Sequence, residues 1–201
     1  MSLLTVETLC SAYAQGYFPM PNPDTGEIEW YRPDPRAVFP LEEFHVSKSL
    51  RRTLNRGDFT VTFDHAFRAV MEECSRDREE GTWITDEFHF AYGELHRIRL
   101  AHSVEVWEGE KLVGGVYGVS LGGAFFAESM FHRKTDASKV ALFHLVERLK
   151  AIGFGLLEVQ FLSAHLKSLG AIEIPDAEYI KRLNQALPLN PGPFLMAAGA
   201  Q

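Results

Sequence analysis

Cysteine is nearly missing from this chain: Cys10 and Cys74 are the only two among 201 residues. Both sit in apolar stripes of helical spacing, so they read as isolated thiols of a reducing compartment rather than a disulfide framework. The eight histidines show no HExxH pair and no clustered Cys/His spacing, which argues against a bound metal. No apolar run approaches the roughly 18 to 20 residues that span a bilayer. The opening MSLLTVETLC has no basic stretch ahead of an apolar core, so it is not read as a signal peptide and the expected location is the cytoplasm. Excess positive charge is missing too. A formal net charge of −7 argues against wholesale coating of nucleic acid, although local patches rather than totals meet phosphates. There is no GxSxG elbow and no motif-placed catalytic cysteine. The glycine-rich GGVYGVSLGG runs from strand into strand, whereas a dinucleotide loop must open a helix.

The composition that remains, 46% hydrophobic and 23% charged, is ordinary for a soluble globular protein, and the length allows one sizeable core with room for a small appendage. Val6, Leu9, Cys10 and Tyr13 recur at helical spacing and Gly16 supplies a stop, so 5–15 is read as a short amphipathic helix. The next segment, YFPMPNPDTGEIEWYRPDPRAVFP, carries prolines 19, 21, 23, 33, 35 and 40 and is expected to hold neither a long helix nor a central strand. Residues 1–34 are therefore read as a small N-terminal cap and 35–201 as the main domain. A helix from Ser47 to Arg56, closed by Gly57, puts Lys48, Arg52 and Arg56 on one face with Arg51 beside them. With no acid from 44 to 57, that face is either solvated or a phosphate-tracking stripe.

FTVTF alternates as a strand, and DHAFRAVMEEC follows as a helix expected to be capped by Asp64, with Phe67, Val70, Met71 and Cys74 inward. Another helix starts near Thr85 and buries Phe88, Ala91, Tyr92 and Leu95. HSVEVWE, KLVGGVYGVSL and GAFFAESMF, joined by tight turns, form an antiparallel meander. Asp136 is expected to cap the apolar helix ASKVALFHLVERLKAI, which Gly153 ends. The strand LLEVQF and the short helices SAHLKSL and DAEYIKRLNQAL complete an α+β, mixed-sheet domain.

Two strands carry acids among apolar neighbours. Glu128 shares a strand face with Phe126 and Met130, ahead of the basic His132, Arg133 and Lys134. In LLEVQFL, alternation puts Leu157, Val159 and Phe161 on one face and Glu158 with Gln160 on the other, about 6.6 Å apart. Such a pair either looks into water from an edge strand or lines a pocket, where it has to be hydrogen-bonded. His165 is read as structural.

GTWIT, HSVEVWE, LVGGVYGV, ESMFHRKTDASKVAL, QFLSAHLKSLGA and EIP, together with YFPMPNP and RPDPRAVFP, resemble the leucyl/phenylalanyl-tRNA–protein transferase family from about Leu3 to Leu187. The resemblance implies a GNAT-like acyltransferase domain behind a small N-terminal domain, working without cofactor or metal. It implies an aminoacyltransferase that moves leucine or phenylalanine, and methionine weakly, from aminoacyl-tRNA to the N-terminal Arg or Lys of proteins. The products are marked for N-end-rule degradation, and the expected enzyme is a cytoplasmic monomer with no membrane partner. Carried over residue by residue, Gln160 matches the catalytic glutamine, and Glu158 stands where studied members have aspartate. Trp83 matches the aromatic residue that holds the terminal adenosine of the tRNA, and Glu128 the pocket glutamate. Val116, Phe125 and Leu145 fall where the family lines its apolar side-chain pocket. Met20 occupies a position that is tryptophan in some members, and Ser163 one that is asparagine. Arg133, Lys134 and Lys139 are expected to meet the acceptor-stem phosphates, with Lys48, Arg51, Arg52 and Arg56 as a further stripe. An acetyl-CoA-dependent acetyltransferase is the rival enzyme, but HRKTDAS stands where its glycine-rich loop would be. A tRNA- or degron-binding module without catalysis is the non-enzymatic alternative.

Overall fold

The computed structural model describes residues 4–22, 24–76 and 84–195. Helix α1 (Val6–Ala14) starts at Thr5, whose hydroxyl accepts from the Thr8 N–H while the Thr8 hydroxyl accepts from the Thr5 N–H. Strands β1 (Phe18–Pro21) and β2 (Ile28–Tyr31) form an antiparallel hairpin of their own. Strand β3 (Arg36–Phe39) leads to α2 (Lys48–Arg56), β4 (Thr60–Phe63), α3 (Phe67–Ser75) and α4 (Asp86–Arg97). The meander is β5 (Ala101–Glu108), β6 (Lys111–Leu121) and β7 (Ala124–His132). Helix α5 (Ala137–Ile152), β8 (Leu156–Glu158), α6 (Ala164–Ser168), β9 (Ile172–Ile174) and α7 (Asp176–Ala186) follow.

Seven of the strands make one mixed sheet in the order β4-β5-β6-β7-β8-β3-β9. Only β7 and β8 pair in parallel, because α5 carries the chain back across the sheet between them. The sheet separates two apolar clusters. On one side Tyr13 of α1, Met71 of α3, Phe88 and Tyr92 of α4 and Tyr179 of α7 pack against Tyr117 and Phe126. On the other, Leu145 and Leu149 of α5 and Leu50 of α2 pack against Val116, Phe125 and Leu157.

Several expectations are corrected by this arrangement. The proline-rich segment does supply a central strand, β3, which lies between β8 and β9. Pro35 and Pro40 bound it rather than interrupt it, so none of its four residues lacks an N–H. Neither aspartate is a side-chain cap. Helix α3 starts after Ala66, and Asp64 instead accepts from the Ser103 N–H at 2.8 Å and contacts His102 Nδ1 at 2.7 Å. The start of α3 is served by Glu105, whose carboxylate accepts from the His65 and Ala66 N–H groups across the sheet. Asp136 does precede α5, but its carboxylate is engaged by Lys139 at 2.7 Å and Thr53 at 3.3 Å.

Candidate active site

The β6–β7 register breaks between Tyr117 and Gly118. Tyr117 pairs with Ser129 and Gly118 with Ala127, which leaves Glu128 as an extra residue in a bulge. Glycine is needed opposite it, because a Cβ on Gly118 would sit 2.2 Å from the Phe126 carbonyl oxygen. The bulge resets the alternation, so Phe126 joins the cluster under α4 while Met130 joins the one under α5. Glu128 thus does not share a face with Met130. It turns toward α4 and α1 instead, where its Oε2 accepts from Tyr92 Oη and from the Gln160 side-chain amide, each at 3.2 Å. Tyr92 Oη is 2.5 Å from Tyr13 Oη, so a buried row of polar groups runs from α1 to the end of β8.

Regular strand geometry stops at Glu158. Gln160 has φ +62°, and the Phe161 N–H donates to the Val159 carbonyl at 2.8 Å, closing a three-residue turn around Gln160. Turns of this hand are rare and strained for a residue with a Cβ. The strain is held by β3: the Val159 N–H donates to the Ala37 carbonyl and the Ala37 N–H to the Gln160 carbonyl. The turn also throws Phe161 off the Leu157/Val159 face, leaving it 51% exposed against the edge of Phe18. The edge-strand alternative therefore fails: β8 lies inside the sheet and Glu158 is fully buried.

One Glu158 oxygen, Oε1, accepts from the Gln160 backbone N–H and lies 3.0 Å from Arg36 Nε. Arg36 is a site residue that the sequence reading missed; the only signal was a lone cation in the apolar run RAVF. Burial pushes the Glu128 carboxyl up to about 8, with the nearby Glu158 charge adding to the shift and the bonds from Tyr13, Tyr92 and Gln160 opposing it. Burial likewise lifts Glu158, but the Arg36 charge and the Gln160 N–H hold it at about 7. Glu128 Oε1 and Glu158 Oε2 are buried acceptors without a protein partner. The site therefore offers a mostly protonated acid and a second carboxyl near its midpoint, joined through Gln160.

Sequence motifs placed the other candidates with mixed success. Met20 is half-buried on β1, at the margin of the first cluster. Ser163 is exposed and uses its hydroxyl to accept from the Leu166 N–H at the start of α6. Val116, Phe125 and Leu145 are packed between the sheet and α5, on the face away from Glu128, with no more than 1% exposure. Trp83 lies outside the described residues. Lys48, Arg51, Arg52 and Arg56 are all exposed on α2, and of the four only Arg56 is ion-paired among the described residues, with Asp58 at 2.8 Å. In the 132–139 loop the expected tRNA-contacting cations each face an acid. Arg133 pairs with Glu73 at 2.7 Å, Lys134 with Glu108 at 3.1 Å and Lys139 with Asp136 at 2.7 Å. No group of three or more His, Cys, Asp or Glu side chains is placed to hold a metal among the described residues.

The leucyl/phenylalanyl-tRNA protein transferase model matches residues 38–184, and the model for the N-terminal domain of the same proteins matches 2–34. The chain belongs to the leucyl/phenylalanyl-tRNA–protein transferase family. Curated relatives so named include one from Akkermansia muciniphila, 52% identical over 92% of this chain and 96% of its own length. Those of Herpetosiphon aurantiacus and Rubrobacter xylanophilus are each 54% identical, over 92% and 93% of this chain and 95% and 97% of theirs. Members of the family are aminoacyltransferases, and Glu128, Glu158 and Gln160 all fall inside the matched region. No helix among the described residues is long and apolar enough to cross a membrane.

Proposed function

We propose that this aminoacyltransferase joins the leucyl or phenylalanyl group of a charged tRNA to the N-terminal Arg or Lys of a protein, at the buried row formed by Gln160, Glu128 and Glu158. The observation that carries the reading is the Gln160–Glu128 hydrogen bond inside a bulge and a strained turn, both of which spend backbone regularity to aim these two side chains.

The reaction is aminolysis of an ester. The amine nitrogen uses its lone pair to bond the ester carbon, the carbonyl π pair moves onto the carbonyl oxygen, and its return expels the ribose oxygen, which takes up a proton as the amine loses one. An α-amine titrates near 8, so roughly a tenth is already neutral at pH 7 and no strong base is needed. Gln160 has no useful basicity; with one amide N–H on Glu128, its carbonyl is left to accept from the incoming amine and orient it. Glu128, raised to about 8, suits giving a proton to the leaving oxygen, while Glu158, ionised more readily, suits removal of the amine proton. Glu158 does not touch the Gln160 amide; it grips the Gln160 backbone. For Val116, Phe125 and Leu145 to line the aminoacyl side-chain pocket, the sheet–α5 packing has to open beside them, and Met130 and Leu162 are among the half-buried members of that cluster. Residues 1–34 act as a cap whose Tyr13 closes the polar row, and the enzyme acts as a cytoplasmic monomer whose products go on to N-end-rule degradation.

The test is transfer of labelled Phe or Leu from charged tRNA to an N-terminal Arg peptide, with labelled acetyl-CoA as the competing donor. Gln160→Ala is expected to lower kcat about a hundredfold with tRNA binding retained, comparable to the usual cost of losing one aligned hydrogen-bonding group. Acetyl transfer, or wild-type aminoacyl transfer by Gln160→Ala, would refute the reading.

A further inference from the structure

Arg36 is 1% exposed, and a cation is taken this far out of water only at a cost of several kcal/mol unless its surroundings replace the lost hydration. Here two rings, a carbonyl, a hydroxyl and a carboxylate surround it, while Nη1 is a buried donor without a protein hydrogen-bond partner. Its guanidinium lies between the rings of Phe18 and Tyr179, with its carbon 4.9 Å and 4.5 Å from their centroids. Nη2 donates to the Gly16 carbonyl at 2.5 Å and to Tyr179 Oη at 3.4 Å, and Nε faces Glu158 Oε1 at 3.0 Å. Three separate parts of the chain, the α1–β1 turn, β3 and α7, thus fix one side chain against one carboxylate. A buried ion pair of this kind is a poor source of stability compared with apolar residues of the same volume, so its retention calls for another reason.

We propose that Arg36 is a positioning residue for aminoacyl transfer: it braces the Glu158 carboxylate, and Glu158 so held fixes the backbone turn that presents the Gln160 amide to Glu128. The proposal rests on the reading of Gln160 as the group that meets the amine. The groups facing Glu158 are Arg36 from β3, Tyr179 from α7 and Glu128 from β7. Arg36 is the only cation in that set. With the Gln160 N–H, it opposes the burial that drives Glu158 toward its neutral form. A neutral carboxyl accepts more weakly from the Gln160 N–H. The turn, unfavourable for a residue with a Cβ, then relaxes and carries the amide away from Glu128.

Arg36→Met, Arg36→Lys, Glu158→Gln and the double variant Arg36→Met/Glu158→Gln are compared in the full chain by steady-state Phe transfer between about pH 5.5 and about 9, with thermal melts as the control for folding. Arg36→Met is expected to lose about ten- to a hundredfold in kcat with the KM for Phe-tRNA changed less than about threefold, and to shift the acidic limb of the profile up by about one pH unit or more. Arg36→Lys, which keeps the charge and loses the fork, should lie between the two in both readouts. The double variant should be no slower than Glu158→Gln alone. A folded Arg36→Met enzyme with the wild-type limb and kcat overturns the proposal, as does a double variant much slower than Glu158→Gln. If Arg36→Met does not fold, Arg36→Lys decides: an upward-shifted limb with reduced kcat supports the role, and a wild-type profile overturns it. Gln160→Ala run alongside separates the two readings. Normal transfer by that variant sinks the site itself, whereas an inactive Gln160→Ala beside a normal Arg36→Met sinks only the role of Arg36.

Discussion

Glu128 is an acid that the fold keeps neutral up to about pH 8, against an ordinary value of 4.5. Between those two values the unfolded chain has released this proton and the folded chain has not. The contribution of Glu128 to stability is therefore fully present below about 4.5, declines as the pH rises, and is gone above about 8. Glu128→Gln, which keeps the shape and the contacts to Tyr92 and Gln160, should remove that decline. Thermal melts from pH 5 to 8.5 are expected to show the wild type losing ground steadily to the variant, with the largest gap at the alkaline end; parallel curves would mean that the carboxyl ionises normally. Glu128 was legible as a site residue because an acid stood in a run of phenylalanines. Its partners were not, since Tyr13 and Tyr92 obey the helical apolar spacing of any core tyrosine, and nothing local marks the hydroxyl that each turns inward. Arg36 hid for a related reason: the ring of Phe18 and the ring of Tyr179 that make its burial tolerable come from far away in sequence.

Helix α2 is where charge stays available. Lys48, Arg51 and Arg52 stand exposed with no ion pair among the described residues, whereas Arg133, Lys134 and Lys139 already face acids. Arg52→Glu is accordingly expected to raise the KM for charged tRNA and to flatten its logarithmic salt dependence by about one phosphate's worth. Arg133→Glu should do less to the salt slope and more to the melting temperature, because it sets Glu73 against a second carboxylate. Equal slopes for Arg52→Glu and wild type would place the tRNA elsewhere. Helix α5 is the opposite case, closed rather than open. Leu145→Ala should cost about 2–5 kcal/mol of stability in denaturant titrations, the usual range for a buried leucine that leaves a cavity. Helices such as these were readable from periodicity and end signals, and the Gly57 and Gly153 stops fall where the spacing put them. The strand LLEVQF misled by the same rule, because alternation assumes one extended run and the turn at Gln160 is imposed by hydrogen bonds from β3.

At the scale of the molecule, the meander, the long apolar helix and the mixed sheet were all visible as patterns within short windows. What no window contained was the place of β3. Val38 pairs with Glu158 on one side and with Ile172 on the other, so a strand near the start of the chain is wedged between two near its end. That placement has a bearing on how the protein is made. A ribosome delivers residues 36–39 early and must deliver more than a hundred further residues before either neighbour of that strand exists. Until then its N–H and C=O groups are bare on both flanks, an invitation to pair with any other nascent chain. A chain truncated after residue 155 is expected to aggregate on release, and one extended through residue 195, with β8, β9 and α7 in place, to stay soluble; pelleting of stalled and released translation products distinguishes the two.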